Sequence, residues 1–290
     1  AYERKKWWQI ERERWHDGFN GISGMHYFYL TQCKIKSGTG GEHIRPLYRD
    51  CDDWIISQIH DSYWNCKGAI GLVKRRELGA TSIGSALLPL YNMRIFTGST
   101  FGMTSCDQPR IYKAFSDKTT VCLNEMDKDI APKIERKNET KNSTYLKLAW
   151  NVDRNGEETI QYSDFYSKET SDNDASAKGF SGTRMRAAYF DEFPLHKRKR
   201  KLLSSSLPCF MEGTEQVGFL LWSGTVEDGI TNEQIYELQQ LVNDASVLNT
   251  KIIFAPAWWG LKINSAGESN EKEDFQIMSI SHLRGLSQKH

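Results

Sequence analysis

Apolar positions along the chain fall into short blocks, and the spacing inside each block predicts an element. From Tyr2 to His16, Trp7, Trp8, Ile10 and Trp15 recur at near-helical intervals among charges, which predicts an amphipathic helix ending near Asp17-Gly18 with its aromatics turned to a core. A second helix is expected after Pro46, carrying Trp54, Ile55, Ile56 and Ile59 inward. The run Ala69-Ile70-Gly71-Leu72-Val73 reads as a strand, followed by a loop and helix to about Leu90 and a short strand at Met93 to Thr97. Between Tyr145 and Tyr162, two strand-like runs flank Asn155-Gly156, a pair that favours a tight hairpin. Strands return at Met185 to Phe190, Val217 to Trp222 and Lys251 to Phe254, with a helical stretch from Asn232 to Val242. This alternation implies a parallel sheet covered by helices. The glycine-rich Ser37 to His43 follows no strong strand and reads as a linker; Ser167 to Gly179 has almost no apolar anchors and reads as a mobile surface loop. There is no internal repeat.

Composition narrows the picture. A chain of 290 residues fits one large α/β domain or two small ones. With 38 basic and 37 acidic residues the net charge is +1, so any contact with a polyanion has to be local. The six cysteines, Cys33, Cys51, Cys66, Cys106, Cys122 and Cys209, form no C-x-x-C pair and read as reduced thiols in a cytosol-like compartment. The charged start is unlike a signal peptide, and no run approaches the roughly 20 apolar residues that span a bilayer, so a soluble protein without membrane partners is expected.

Three strand ends carry candidate chemistry. The first is Lys74 to Ser82, a strand-to-helix loop that closes with Gly79 and Thr81 as a phosphate-cradling P-loop does. Ala80 stands where the usual lysine follows the second glycine, and Lys74 stands where the first glycine is usual. An ammonium on a flexible stem can reach the same phosphates from the strand end. Gly79 allows close backbone approach and Thr81 offers a hydroxyl to Mg²⁺. The second is Ala187-Ala188-Tyr189-Phe190 ending in Asp191-Glu192, a buried strand delivering two carboxylates, as in a Walker B pattern. Asp191 would hold Mg²⁺ and Glu192 would act as general base. The third is Phe219 to Trp222 ending in Ser223-Gly224-Thr225, whose small polar groups can sense a terminal phosphate. Each has a plainer reading: a solvated basic turn, a capped strand end, and an ordinary strand-to-loop turn.

Taken together and in this order, the three motifs resemble the ATPase domain of the large terminase subunit of tailed bacteriophages, over roughly Tyr27 to Trp259. The resemblance implies a RecA-like P-loop (ASCE-type) α/β domain, with a mostly parallel central sheet and helices on both faces. It implies a core from 67 to 290 behind an N-terminal helical, adenine-side segment, 1 to 66. ATP would be held by Lys74, Arg75, Arg76, Glu77, Leu78, Gly79, Ala80, Thr81 and Ser82, with Tyr48 and Arg49 on the adenine side, where Arg49 replaces the usual glutamine. The Walker lysine's role falls to one of Lys74, Arg75 and Arg76; Glu192, Lys74 and Arg76 would be catalytic, Thr81 and Asp191 would bind Mg²⁺, and Ser223, Gly224 and Thr225 would couple hydrolysis to motion. Implied partners are double-stranded DNA, a portal protein, a small terminase subunit and further copies in a ring, in the host cell cytoplasm and outside the mature virion.

The densest positive run, His196 to Lys201, is the candidate DNA-backbone contact, through Lys197, Arg198, Lys199 and Arg200; a solvated surface face is its plainer reading. The late acidic cluster Glu268, Glu271, Glu273 and Asp274 lies in polar text and is not assigned to a nuclease, so the ATPase part alone is expected, or a nuclease outside this sequence. The competing functions are a helicase-like or repair ATPase, and a nucleotide-binding structural subunit without turnover.

Overall fold

The computed structural model describes residues 2–36, 41–65, 68–74, 78–139, 143–154, 157–170, 180, 182–196, 198–225, 236, 239–240 and 250–255. Two helices open the chain, α1 (Tyr2–Asp17) and α2 (Gly24–Gln32), followed by a minimal antiparallel ribbon of β1 (Ile35–Lys36) and β2 (His43–Ile44). The expected linker therefore joins paired strands, with residues 37–40 outside the described residues. Helix α3 (Asp50–Trp64) begins with Asp50, Asp52 and Asp53, carboxylates that suit the positive end of a helix dipole. Strand β3 (Ala69–Lys74) leads to the one-turn helix α4 (Ala80–Ser82), a π turn at Ile83–Leu87 and α5 (Leu88–Ile95). After β4 (Thr100–Ser105), α6 (Gln108–Ala114) runs through a second π turn, Phe115–Thr120, into α7 (Val121–Glu125).

A long antiparallel arm follows: β5 (Lys133–Glu139), β6 (Ser143–Arg154) and β7 (Glu157–Glu169). Arg154 pairs with Glu157, so the expected turn falls between them, at residues outside the described set. Next come β8 (Ala187–Asp191), α8 (Lys199–Ser206), a short ribbon of β9 (Met211–Glu212) and β10 (Glu215–Gln216), then β11 (Phe219–Thr225) and β12 (Thr250–Phe254). Of the helix expected at Asn232 to Val242, only 236 and 239–240 are described, and they are helical.

One sheet of eight strands, ordered β12-β3-β11-β8-β4-β7-β6-β5, holds these elements together. Pairing is parallel from β12 through β7 and antiparallel in the arm. Strand alternation sorts side chains between two cores. Ile70, Leu72, Ala187, Tyr189, Phe219 and Leu221 face α1, α2, α3 and α5, whereas Ala69, Ala188, Phe190, Leu220 and Trp222 face α8. Burial of each large apolar side chain contributes roughly 1.5–3 kcal/mol, which is why these strands read as unbroken apolar runs. The fold is thus the expected α/β class, a mostly parallel sheet with helices on both faces.

Three expectations fail locally. Ser167 to Glu169, expected in a mobile surface loop, end strand β7, and Ser167 and Thr170 are buried; 171–179 lie outside the described residues. Met93 to Thr97 is not a strand: α5 continues through Ile95 and the strand begins at Thr100. Leu88, Leu90, Tyr91 and Met93 are all buried, Tyr91 Oη donates to the Trp15 carbonyl, and Asn92 Nδ2 donates to Ser99 Oγ, so tertiary packing claims the segment for helix. In α1, Trp8 and Trp15 are buried but Trp7 and Ile10 are exposed, because residues seven apart share one helix face while Trp7 and Ile10 fall outside it. The described cysteines, Cys33, Cys51, Cys106, Cys122 and Cys209, are free thiols, and no helix among the described residues is long and apolar enough to cross a membrane.

The π turn after α4 lies against β8 so closely that a Cβ at Gly84 would fall 2.2 Å from the Tyr189 ring. Gly84→Ala is expected to lower unfolding free energy by about 1–3 kcal/mol through overpacking, against alanine's helix preference of about 1 kcal/mol. Denaturant titration checks this, and a stabilised variant would show that the approach constrains nothing.

Candidate functional site

In a parallel sheet every strand delivers its carboxyl end to one edge, where loops and helix N-termini gather. Here β3 ends at Lys74, β11 at Thr225, β8 at Asp191 and β4 at Ser105, with Thr225 registered on Lys74 and Asp191 on Ser105. Strand β11 lies between β3 and β8, so the motif-bearing strands are neighbours.

Lys74 is nearly withdrawn from water, its side chain 6% exposed. Its Nζ donates to Thr225 Oγ1 at 3.0 Å and faces Glu192 Oε1 at 3.5 Å. The Thr225 backbone N–H donates to the other Glu192 oxygen, Oε2, at 3.2 Å. Three motifs therefore meet in one polar cluster. Glu192 adopts a left-handed backbone, φ 48°, unusual for a residue other than glycine and a cost of order 1–3 kcal/mol that tends to persist at functional sites.

Asp191 anchors a second cluster. Its Oδ1 accepts from Tyr189 Oη at 2.7 Å and from Thr81 Oγ1 at 3.3 Å, and Tyr189 Oη lies 2.6 Å from Ser223 Oγ. Burial raises the Asp191 carboxyl above the ordinary carboxylate value; Glu192 adds to this, while Tyr189, Lys74 and Thr81 oppose it. Among the described residues no group of three or more His, Cys, Asp or Glu forms a metal cage. Thr81 and Asp191 supply two hard oxygens side by side, which suits Mg²⁺, an ion that completes its shell with water and phosphate.

The loop between Lys74 and the helix is described from Leu78 onward; Arg75, Arg76 and Glu77 lie outside the described residues. Gly79 has φ 88°, and its carbonyl accepts from the N–H groups of Ser82 and Ile83, starting the helix. Ala80, at the usual lysine position, has little exposure and offers only a methyl group there. Arg49 braces this loop: it grips Asp52 with Nε and Nη2 at 2.7 and 2.6 Å, and Nη2 also donates to the Leu78 carbonyl at 3.2 Å. Tyr48 stacks on the buried His26, ring centroids 5.4 Å apart, and His26 Nδ1 is 2.6 Å from Asp53 Oδ1.

Lys74, Gly79, Ala80, Thr81, Ser82, Asp191 and Glu192 line one open cleft of about 680 Å³. Tyr48 and Arg49 are not part of its lining. Four cations that sequence reading did not single out, Lys36, Arg110, Lys113 and Lys118, line it as well. Their sequence spacing carries no motif, and only the packing of α6 and its π turn beside the sheet edge gathers them.

The basic run after Glu192 needs correction. Lys199 is fully buried and cannot touch a DNA backbone, because in α8 it shares the inward face with Leu202, Leu203 and Ser206. His196 is buried as well, its Nδ1 2.7 Å from Thr170 Oγ1 and its Nε2 donating to the Asp191 carbonyl at 3.3 Å. Arg198 and Arg200 are exposed, and Lys197 lies outside the described residues.

No family model matches the chain, and no curated protein matches it in sequence. Among solved structures, the chain is similar to the large terminase of bacteriophage HK97 (TM-score 0.49, 12% identity, 91% of this chain and 50% of that one). It is also similar to the large terminase of a thermophilic bacteriophage in complex with ADP (0.45, 13% identity, 79% and 48%). A third is the large terminase ATPase domain of Thermus phage P74-26 (0.45, 11% identity, 73% and 82%). The chain thus spans about half the length of the first two of these proteins.

Burial pushes His196 down to about 4, so its imidazole is neutral in the fold at pH 7. Between pH 6.5 and 4 the unfolded chain takes up a proton that the fold refuses, so stability should fall as pH falls, by roughly 1.4 kcal/mol per unit from this group. His196→Gln is expected to flatten that slope relative to wild type in pH-resolved denaturation. Parallel curves would contradict the assignment.

Proposed function

We propose that this chain is a P-loop ATPase that drives double-stranded DNA into a viral procapsid, the motor portion of a large terminase subunit. The observation that carries the enzymatic part is the meeting of Lys74, Thr81, Asp191 and Glu192 in one cleft at one end of a parallel sheet, with Thr225 bonded to both Lys74 and Glu192. Lys74 is the described cation best placed to bind the β and γ phosphates of ATP, and it does so from the strand end because position 80 is alanine. Thr81 Oγ1 and Asp191 would hold Mg²⁺, which would neutralise charge on the phosphate oxygens. Glu192 takes the proton of the attacking water as general base, the Thr225 N–H aiming its carboxylate. Tyr189 ties Asp191 to Ser223, so the tip of β11 is joined to both carboxylates and can register departure of the terminal phosphate.

The DNA-packaging part rests on the order of the three motifs, which resembles that of large terminases, and on the exposed Arg198 and Arg200 as backbone contacts. On this reading the chain works as a ring on a portal protein with a small terminase subunit, in the host cell cytoplasm.

Glu192→Gln is expected to leave ATP affinity within a few-fold and to lower turnover by about 10²-fold or more, as loss of a general base does. Wild-type hydrolysis should rise when double-stranded DNA is added. Steady-state ATPase assays with and without DNA check both; hydrolysis by Glu192→Gln near the wild-type rate would remove the base assignment, and DNA-independent hydrolysis would remove the motor.

A further inference from the structure

The cleft carries more positive charge than its two carboxylates balance. Five cations, Lys36, Lys74, Arg110, Lys113 and Lys118, line the same cleft as Asp191 and Glu192. Among the described residues, Lys36, Lys113 and Lys118 form no ion pair, and Arg110 contacts its own helix start, with Nε 3.4 Å from Asp107 Oδ2 and Nη1 on Cys106 Sγ, while the Glu192 carboxylate also acts on it through charge. Burial lowers the Lys118 ammonium below its ordinary value, and Lys113 and Lys36 push it the same way against Asp117 and Cys122. Cations crowded around a cavity in this way are complementary to a polyanion.

Their position in the fold says which part of a nucleotide they meet. Strand β4 ends at Ser105, registered on Asp191, and α6 starts three residues later with Asp107 as its cap. The helix therefore rises beside the metal-side carboxylate and the base, and Arg110, Lys113 and Ala114 bring it into the lining of the cleft. Its placement is locked to the phosphate loop by an unusual contact. The π turn after α4 and the π turn after α6 pack together, and Thr119 Oγ1 donates to the Ser85 carbonyl. Ser85 Oγ in turn donates to the carbonyl of Thr81. Single π turns inside helices recur at functional sites, and here they join the cationic helix to the loop.

We infer that Arg110, Lys113 and Lys118 are cis-acting cations that contact the terminal phosphate of a bound nucleoside triphosphate, making the site selective for triphosphate over diphosphate. This rests on the ATPase reading of the cleft. Charge-assisted contacts of this kind strengthen as charge moves onto the leaving oxygens.

The test uses Mg²⁺ with ATPγS and with ADP as probes, on wild type and on Arg110→Gln, Lys113→Gln and Lys118→Gln, beside the charge-retaining Arg110→Lys. At least one neutralised variant is expected to lose about tenfold in ATPγS affinity while ADP affinity stays within about twofold, and Arg110→Lys should recover part of any loss seen in Arg110→Gln. In wild type, ATPγS should protect Lys113 and Lys118 from acetylation, read by mass spectrometry, and ADP should not; this arm stands even if a variant fails to fold. If wild type prefers ATPγS but the variants bind both nucleotides as wild type does and acetylation is unchanged, this inference fails and the ATPase reading stands. Variants that lose only stimulation by DNA would move the cations to the DNA path and likewise overturn it. No nucleotide binding by wild type would overturn both.

Discussion

An ammonium group removed from water must be surrounded by acceptors or held near opposite charge, since leaving it unpaired costs several kcal/mol. Lys74 is in that position at the end of a central strand, and its surroundings follow from the need to satisfy it. Thr225 accepts from it because β11 is registered beside β3 with the two residues opposite each other. Glu192 can approach because β8 lies next on the other side of β11 and because its backbone turns left-handed directly after the strand. A site that holds its cation this way is pre-assembled, with little left to order when an anion arrives.

The same constraint reaches into the packing. Asp191 is kept in place by the hydroxyl of Tyr189, whose ring fills the close approach between β8 and the π turn after α4. That π turn meets the one that follows α6, so the wall of the cleft opposite Lys74 is positioned by the helix that begins at Ala80. Core geometry and site geometry are one set of contacts: the sheet orders the strand ends, and the two π turns order the cations around them.

The parallel sheet was legible because its strands are buried on both faces and read as short apolar runs, and the hairpin because Asn155-Gly156 splits two such runs. The cluster at the sheet edge was legible because polar residues that close apolar runs stand out, so Lys74, Asp191, Glu192 and Thr225, and Thr81 in the following helix, are conspicuous before any fold is known, and the structure brings them together. Met93 to Thr97 was misread because a short apolar stretch has no decisive period, and a contact to Trp15, far back in the chain, together with one to the nearby Ser99, decides it. Lys199 was misread because a charge run conceals helical phase: one lysine in the run turns inward with Leu202 and Leu203. Arg110, Lys113 and Lys118 were invisible because ordinary surface spacing becomes a site only once α6 is laid along the cleft.

The central claim is that Lys74 is a phosphate ligand held in waiting by Thr225 and Glu192. The structure of the complex with Mg²⁺ and ATPγS tests it most directly. The account predicts a phosphate oxygen about 3 Å from Lys74 Nζ, with the Lys74 contact to Glu192 released and the metal between Thr81 and Asp191. A nucleotide bound elsewhere, or bound in the cleft with Lys74 still closed on Thr225 and Glu192, would contradict it.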